Sequence, residues 1–311
     1  MIGVVVNPLA RRHRRDPDAA DRLRRIVGTH GLVRESRSMD DLDAIAHEFA
    51  DRGIDVLSVG GGDGTNALTL TVFRRIWGDR PLPRLALLRG GTMNTVANAV
   101  GVPRLGPEAL LTRLVERVAA GTELRCVERK TLDVGGRLGF LFGTGVIYGF
   151  LAEYYRDGDP FPTPWTAFTT LARGSASAFV GGETIQRIAK PFEAELVVDG
   201  ELWPARRYFS VGAGTVDQIG LGFRPFYRAD DSPSTLHILG IHTSAVGFVV
   251  ALPRVHLGRG MGPRKVREAV AREVTIRTPD GVVEFMIDGD LHRAEGPLDV
   301  GVGPRVRIVV D

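Results

Sequence analysis

The chain has 311 residues, about twice the length of an average domain, so two domains are the first expectation. With 43% hydrophobic and 25% charged residues it has the composition of an ordinary globular protein, which excludes wholesale disorder. A single cysteine, Cys126, excludes an intrachain disulfide framework and cysteine-cluster zinc sites, and it fits a reducing cytoplasm.

The net charge is +3 and the pI about 9.3. Lys130, Lys190 and Lys265 are the only lysines, so the remaining 37 basic residues are arginines. That excess reads either as codon bias or as a means of holding phosphates or an anionic surface, and net charge alone does not choose. The first eight residues have neither a basic n-region nor a long apolar h-region, so no signal peptide is expected. The longest apolar stretch, residues 238–252, is fifteen residues long and is interrupted by His242, Thr243 and Ser244. A membrane helix needs roughly 20, so no transmembrane segment is expected.

In chain order, residues 3–6 form a short apolar run stopped by Asn7-Pro8, which predicts a buried strand. Asp16-Pro17 predicts an N-cap with proline at the first helical position, followed by Ala19, Leu23, Ile26 and Val27 at helical spacing. A second helix is predicted from Ser38, with Leu42, Ile45, Ala46 and Phe49 on one stripe. Residues 54–59 predict a strand that runs into a glycine cluster. Residues 85–88 predict another, followed by Gly90-Gly91. Residues 107–120 predict a helix through Leu110, Leu111, Leu114 and Val118. Strands separated by helices imply βαβ units and a mainly parallel sheet, which binds ligands beyond the carboxyl ends of its strands.

After about Arg125 the pattern changes to short strands and glycine turns. Hairpins are predicted around Gly135-Gly136, joining strands at 131–134 and 138–142, around Asp199-Gly200, joining 194–198 to Leu202, and around Asp280-Gly281, joining 274–277 to 282–287. Residues 306–310 predict a terminal strand, and residues 160–165, with three prolines and two aromatics, a loop. This half reads as mostly β, a sandwich.

The densest motif is Gly60-Gly61-Gly62-Asp63-Gly64-Thr65, between a strand and a helix-compatible segment. Glycines let backbone N–H groups approach an anion, and a following helix N-terminus adds a favourable dipole. It is neither Gly-x-Gly-x-x-Gly nor a Walker A sequence. The glycines alone also fit a tight strand-to-helix turn with a capping aspartate.

Taken with its neighbours, this segment resembles the diacylglycerol kinase catalytic-domain superfamily, which includes bacterial soluble lipid kinases, sphingosine kinases and, more distantly, NAD kinases. The matching residues are Gly61, Gly62, Asp63, Gly64 and Thr65; the early Asn7-Pro8 loop; and Gly91-Thr92-Met93-Asn94 with the small-residue run Val96-Ala97-Asn98-Ala99. Weaker matches continue through Asp133, residues 140–145, Gly222-Phe223-Arg224-Pro225, Ala229-Asp230-Asp231 and Asp288-Gly289-Asp290. The chain departs from the pattern in four places. Arg12 stands where the family's first loop has lysine, Thr95 where an aspartate often follows, Ala67 where glutamate is usual, and Ser232 where glycine is usual.

The resemblance implies an α/β fold: an N-terminal Rossmann-like parallel-sheet nucleotide domain (residues 1–126 with 304–311) and a C-terminal, mostly antiparallel β-sandwich lipid-substrate domain (127–303). It implies ATP and Mg²⁺, with Asn7, Pro8, Arg12, Gly61, Gly62, Asp63, Gly64, Thr65, Gly91, Thr92 and Asn94 at the nucleotide. Asp63 and Asp231 are the metal candidates, since hard cations choose carboxylates. Asp288 is the candidate general base and Asp290 its neighbour, although Asp-Gly by spacing alone is a common hairpin turn. The implied activity is phosphoryl transfer from ATP to a hydroxyl of a diacylglycerol-like or sphingoid lipid. The rivals are an NAD kinase, which the Gly91-Thr92-Met93-Asn94 loop disfavours, and a nucleotide-binding regulator that has lost catalysis. The expected setting is cytoplasmic, with a peripheral place at the inner membrane and a homodimer both left open. The basic residues 11–15 read as a solvated loop or as a contact for triphosphate or anionic lipid. No motif supports nucleic-acid binding. His256 and His292 are ordinary surface or packed residues.

Overall fold

The computed structural model describes residues 1–8, 10, 16, 18–156 and 190–311. Arg12 with the rest of the 11–15 cluster, Pro17 and the 160–165 loop lie outside the described residues. The chain divides into two compact units, Met1–Arg129 with Arg305–Asp311, and Lys130–Pro304.

The first unit alternates strand and helix: β1 (Ile2–Val6), α1 (Ala19–Val27), β2 (Gly31–Glu35), α2 (Met39–Asp51), β3 (Val56–Gly60), α3 (Asp63–Trp77), β4 (Arg84–Leu87), α4 (Thr95–Ala99) and α5 (Pro107–Ala119). The strands are parallel, in the order β4-β3-β1-β2. Ile308, near the chain end, pairs in parallel with Leu85 of β4. All five residues of β1 and of β3 are buried, the continuous apolar pattern of a central parallel strand covered on both faces. β2 buries only Val33, so it carries no apolar run by which the sequence could announce it.

The second helix follows its sequence closely. Ser38 is the N-cap and accepts from Asp41 N at 3.1 Å, while the Asp41 carboxylate accepts from Ser38 N at 3.1 Å, a complete capping box. Leu42, Ile45, Ala46 and Phe49 are all buried. Phe49 meets Phe73 of α3 edge-on at 6.1 Å, and Trp77 Nε1 donates to Ala46 O at 3.0 Å, locking α2 to α3. The first helix corrects the expectation. It begins at Ala19 behind Asp18, and Asp16 is not its cap. Asp16 O accepts from Ala19 N, and its carboxylate accepts from Arg22 Nη1 at 2.9 Å.

The second unit opens in β5 (Cys126–Val134), whose later residues pair with β6 (Arg137–Gly139) around Gly135-Gly136. β7 (Leu141–Thr144), α6 (Val146–Arg156), β8 (Phe192–Glu193), β9 (Glu195–Val198), β10 (Glu201–Leu202), β11 (Arg207–Tyr208), β12 (Ser210–Gly214), β13 (Leu236–Ile241), α7 (Ala245–His256), β14 (Val266–Ala271), β15 (Glu273–Arg277), β16 (Val282–Ile287), β17 (Asp290–Glu295) and β18 (Leu298–Val309) follow. One sheet runs β14-β13-β12-β7-β16-β17, antiparallel throughout. A second antiparallel run is β10-β9-β15-β18.

Two expectations are corrected here. The Asp280-Gly281 turn forms, but β15 and β16 do not pair with each other. β15 already lies between β9 and β18, and β16 between β7 and β17, so neither has an edge for the other. The predicted strand at 138–142 breaks at Phe140, with β6 pairing β5 and β7 joining the six-stranded sheet. The long apolar stretch at 238–252 is likewise divided, part β13 and part α7, with Ser244 as N-cap accepting from Gly247 N at 3.1 Å. No described helix is long and apolar enough to cross a membrane.

His237 on β13 is wholly buried, with its ring edge-on to Phe226 and Tyr227 and its Nε2 3.5 Å from Glu268 Oε2. Burial holds its pKa well below the ordinary 6.5, although Glu268 pulls the other way.

Two outcomes are expected. Ser38→Ala should destabilise by about 1 kcal/mol, read as a lower midpoint in denaturant melting. The unfolded chain protonates His237 more readily than the folded one, so its stabilising contribution is complete above pH 6.5 and is lost below it. Between pH 6.5 and about 4 the loss should approach about 1.4 kcal/mol per pH unit at its steepest, and His237→Phe should remove that slope.

Candidate active site

In the first unit, β3 and β4 are neighbouring parallel strands, so the loops at their carboxyl ends emerge side by side. These are the 61–65 and 90–94 segments, and their backbones touch. A Cβ built on Gly91 would lie 2.5 Å from Gly62 Cα, and one on Gly90 3.0 Å from Gly61 N. Any side chain at Gly91 would have to displace main chain.

The helix α3 starts at Asp63 with Gly62 as N-cap, and Asn66 N makes its first helical bond, to Gly62 O at 3.0 Å. The N–H groups of Asp63, Gly64 and Thr65 therefore belong to a first helical turn, which has no intrahelical acceptor for them. With the helix dipole behind them, they form a site for an anion.

The Asp63 side chain has a different task. Its two oxygens accept from Thr95 N at 2.8 Å and Val96 N at 3.2 Å, the first amides of α4. The carboxylate thus caps the helix that follows the second loop and holds both loops together. Burial pushes its pKa above the usual range, against the opposing pull of the two amides and the positive charge of Arg89.

The second loop closes on itself. Asn94 sits in the left-handed region at φ 48°; its Oδ1 accepts from Gly91 N at 3.1 Å and its Nδ2 donates to Gly91 O at 2.9 Å. Arg89, also left-handed at φ 53°, donates to Asn98 Oδ1 at 2.6 Å, and Asn98 donates to Met93 O at 3.0 Å. Arg89 carries no motif of its own, and Asn98 enters the sequence reading only as a member of the small-residue run 96–99. The place just before a glycine pair was the arginine's one available signal.

The Asn-Pro loop completes the cluster. Asn7 Nδ2 donates to Thr65 Oγ1 at 3.2 Å, and Asn7 N donates to Gly60 O at 3.2 Å. Asn7, Pro8, Gly61, Gly62, Asp63, Gly64, Thr65, Gly91, Thr92 and Asn94 thus all lie in the loops that follow β1, β3 and β4 of one parallel sheet. Of the nucleotide-site residues expected from sequence, Arg12 alone falls outside the described residues.

Asp288, Asp290 and Asp231 belong to the second unit. Asp288 is left-handed at φ 46° and, with Gly289, turns β16 into β17. It is 6% exposed, and its carboxylate accepts from Phe140 N at 3.0 Å and from Leu141 N at 2.8 Å. Those amides lie where the chain passes from β6 to β7. Asp290 is exposed and closes the hairpin opposite Ile287. Asp231 accepts from Arg228 Nε at 2.8 Å, and the buried ammonium of Lys130 donates to the neighbouring Ser232 carbonyl. Cations of the protein itself therefore sit on this segment's acceptors. Among the described residues, no three carboxylate, histidine or cysteine side chains converge as metal ligands.

Residues 1–125 match the family model of the diacylglycerol kinase catalytic domain. No curated protein matches the sequence. Among solved structures, the chain is similar to a diacylglycerol kinase from Bacillus anthracis str. Sterne, at 16% identity and TM-score 0.65, covering 100% of this chain and 96% of that one. It is also similar to an NAD kinase from Archaeoglobus fulgidus, solved in complex with ATP, at 12% identity and TM-score 0.52, covering 99% and 93%. At these identities the likeness is one of fold. Residues 1–125 thus match the diacylglycerol kinase catalytic-domain model, and the whole chain takes the fold these two solved structures share.

Proposed function

We propose that the chain is an ATP-dependent lipid kinase that transfers the γ-phosphate to a hydroxyl of a diacylglycerol-like or sphingoid lipid. The observation that carries this reading is the contact of Gly62 with Gly91 beside the first turn of α3. It keeps side chains out of the contact at positions 62 and 91, beside first-turn N–H groups that have no intrahelical acceptor. The match of residues 1–125 to the diacylglycerol kinase model favours a lipid acceptor over NAD.

Phosphoryl transfer needs positioning and charge stabilisation more than covalent chemistry. In this reading the amides of residues 63–65 hold phosphate oxygens. Asn7 fixes the Thr65 hydroxyl, and Asp63 keeps the second loop in register through the amides of Thr95 and Val96. Bound Mg²⁺ would neutralise charge on the phosphates. Asp288 is the candidate to take the proton from the acceptor hydroxyl, with its carboxylate oriented by the amides of Phe140 and Leu141. Asp290 is its candidate auxiliary.

The decisive assay is labelled-phosphate transfer from ATP to a panel of diacylglycerols, sphingoid bases and NAD. Transfer to a lipid is expected. Transfer to NAD alone would replace the reading with an NAD kinase, and nucleotide binding without any transfer would replace it with a regulator.

Two variants probe the parts. Gly91→Ala should weaken ATP binding by about tenfold or more, roughly 1.4 kcal/mol, because its Cβ collides with backbone rather than with a movable side chain. Unchanged calorimetric affinity would remove the glycine contact from the site. Asp288→Asn should lower turnover by about 10²–10⁴ with ATP affinity retained. If Asp288 only anchors the Phe140 and Leu141 amides, the variant melts earlier but turns over normally once folded.

A further inference from the structure

Helix α7 (Ala245–His256) is apolar on two opposite sides. Phe248 packs against Phe209, ring centroids 5.4 Å apart and tilted by 48°, and Ala251 and Val255 are buried, so this side faces the core of the second unit. Val246, Val250 and the C-cap residue Leu257 lie on the other side, within about 40° of one another on a helical projection. They are 38%, 57% and 68% exposed. The helix carries no charged residue before Arg254. A helix that is apolar all round is normally covered on every side, and this one presents a bare aliphatic ridge.

The stretch of chain that carries the ridge is of one charge sign. Residues 232–267 contain no aspartate or glutamate, yet hold Arg254, Arg259, Arg264, Lys265 and Arg267. These cations bracket the helix. Lys265 Nζ donates to Gly247 O at 3.2 Å in its first turn, Arg254 Nε donates to Gly260 O at 3.1 Å beyond its last, and Arg254, Arg259 and Arg264 are exposed.

We infer that α7 is a membrane-docking helix: Val246, Val250 and Leu257 enter the acyl boundary of a bilayer while the surrounding arginines meet anionic headgroups. Aliphatic side chains on one face with cations flanking them is the chemistry of an interfacial helix. A second copy of the chain fits less well. Pairing about a two-fold axis would bring the arginines of both copies together, and three aliphatic side chains fall well short of the roughly 800 Å² per partner of a stable interface. The inference adds to the lipid-kinase reading and rests on it for its purpose, since a water-soluble kinase must reach a lipid at an interface.

The test is co-sedimentation of the full chain with mixed phosphatidylcholine–phosphatidylglycerol vesicles and with pure phosphatidylcholine vesicles. The wild type should partition onto the mixed vesicles and come off as salt rises. Val250→Asp with Leu257→Asp should lower that partition by about tenfold or more. Both positions are exposed, so circular dichroism and melting should not change. Arg259→Ala with Arg264→Ala should weaken binding to mixed vesicles only. Equal partition of the Asp double variant and wild type would overturn the inference. So would equal binding of the wild type to neutral vesicles, or a double variant that merely converts a dimer to a monomer. A short-chain, water-dispersed diacylglycerol separates the two proposals. Phosphorylation of it by the double variant at the wild-type rate supports both. Docking through α7 with no phosphate transfer to any lipid would leave the membrane surface standing and remove the kinase reading.

Discussion

The glycine-loop cluster of the first unit depends on a backbone contact with no room in it. Neighbouring strands of a sheet lie about 4.8 Å apart, and β3 and β4 deliver their loops at that spacing. Gly62 and Gly91 then meet main chain to main chain, as do Gly61 and Gly90. With side chains excluded, the surface left at the strand ends is made of peptide groups, which are the groups that bind anions best at close range. The side-chain bonds around the contact keep it in register. Asp63 bonds across to Thr95 and Val96, Asn94 folds the second loop onto Gly91, and Asn7 reaches Thr65.

The second unit has a comparable constraint at Phe140. There the chain leaves one strand pairing for another, so two consecutive amides need acceptors outside the ladders. The Asp288 carboxylate supplies them, and Asp288 N returns a bond to Leu141 O at 3.1 Å. The hairpin turn and the buried carboxylate are thus one device. A left-handed Asp-Gly pair aims the side chain inward while it reverses the strand. A turn motif and a chemical role for Asp288 are compatible, because the turn fixes where the carboxylate points.

Much of the first unit was legible because its signals are local. Ser38 and Asp41 cap a helix by themselves, the stripe through Leu42 and Phe49 needs only helical spacing, and each glycine loop directly follows its strand. Where a structure depends on distant partners, the sequence was silent. The strand β2 is half exposed, so no apolar run marks it. The Asp280-Gly281 turn looks like the hairpin at Asp199-Gly200, but only the latter joins strands that pair. The difference lies in which edges were already occupied. Asp63 was read for its charge, whereas its geometry is that of a cap for a helix thirty-two residues further on, a relation no spacing rule contains.

The arginine excess is uneven in its partners along the chain. In the first unit many arginines have carboxylates at hand: Arg22 with Glu108, Arg34 with Glu48, Arg24 with Glu35, Arg117 and Arg125 with Asp311. The part-exposed pairs among them, those of Arg22, Arg24 and Arg34, add little stability, about 0–1 kcal/mol each, but they neutralise the surface they cover. Codon bias alone would scatter arginines among acids in this way along the whole chain. It does not account for residues 232–267, where every acid is missing and cations flank helix α7 with its exposed aliphatic ridge. Bare aliphatic surface works against solubility and adds no internal contact; in the docking proposal the ridge and the cations beside it share one partner, anionic and apolar at once.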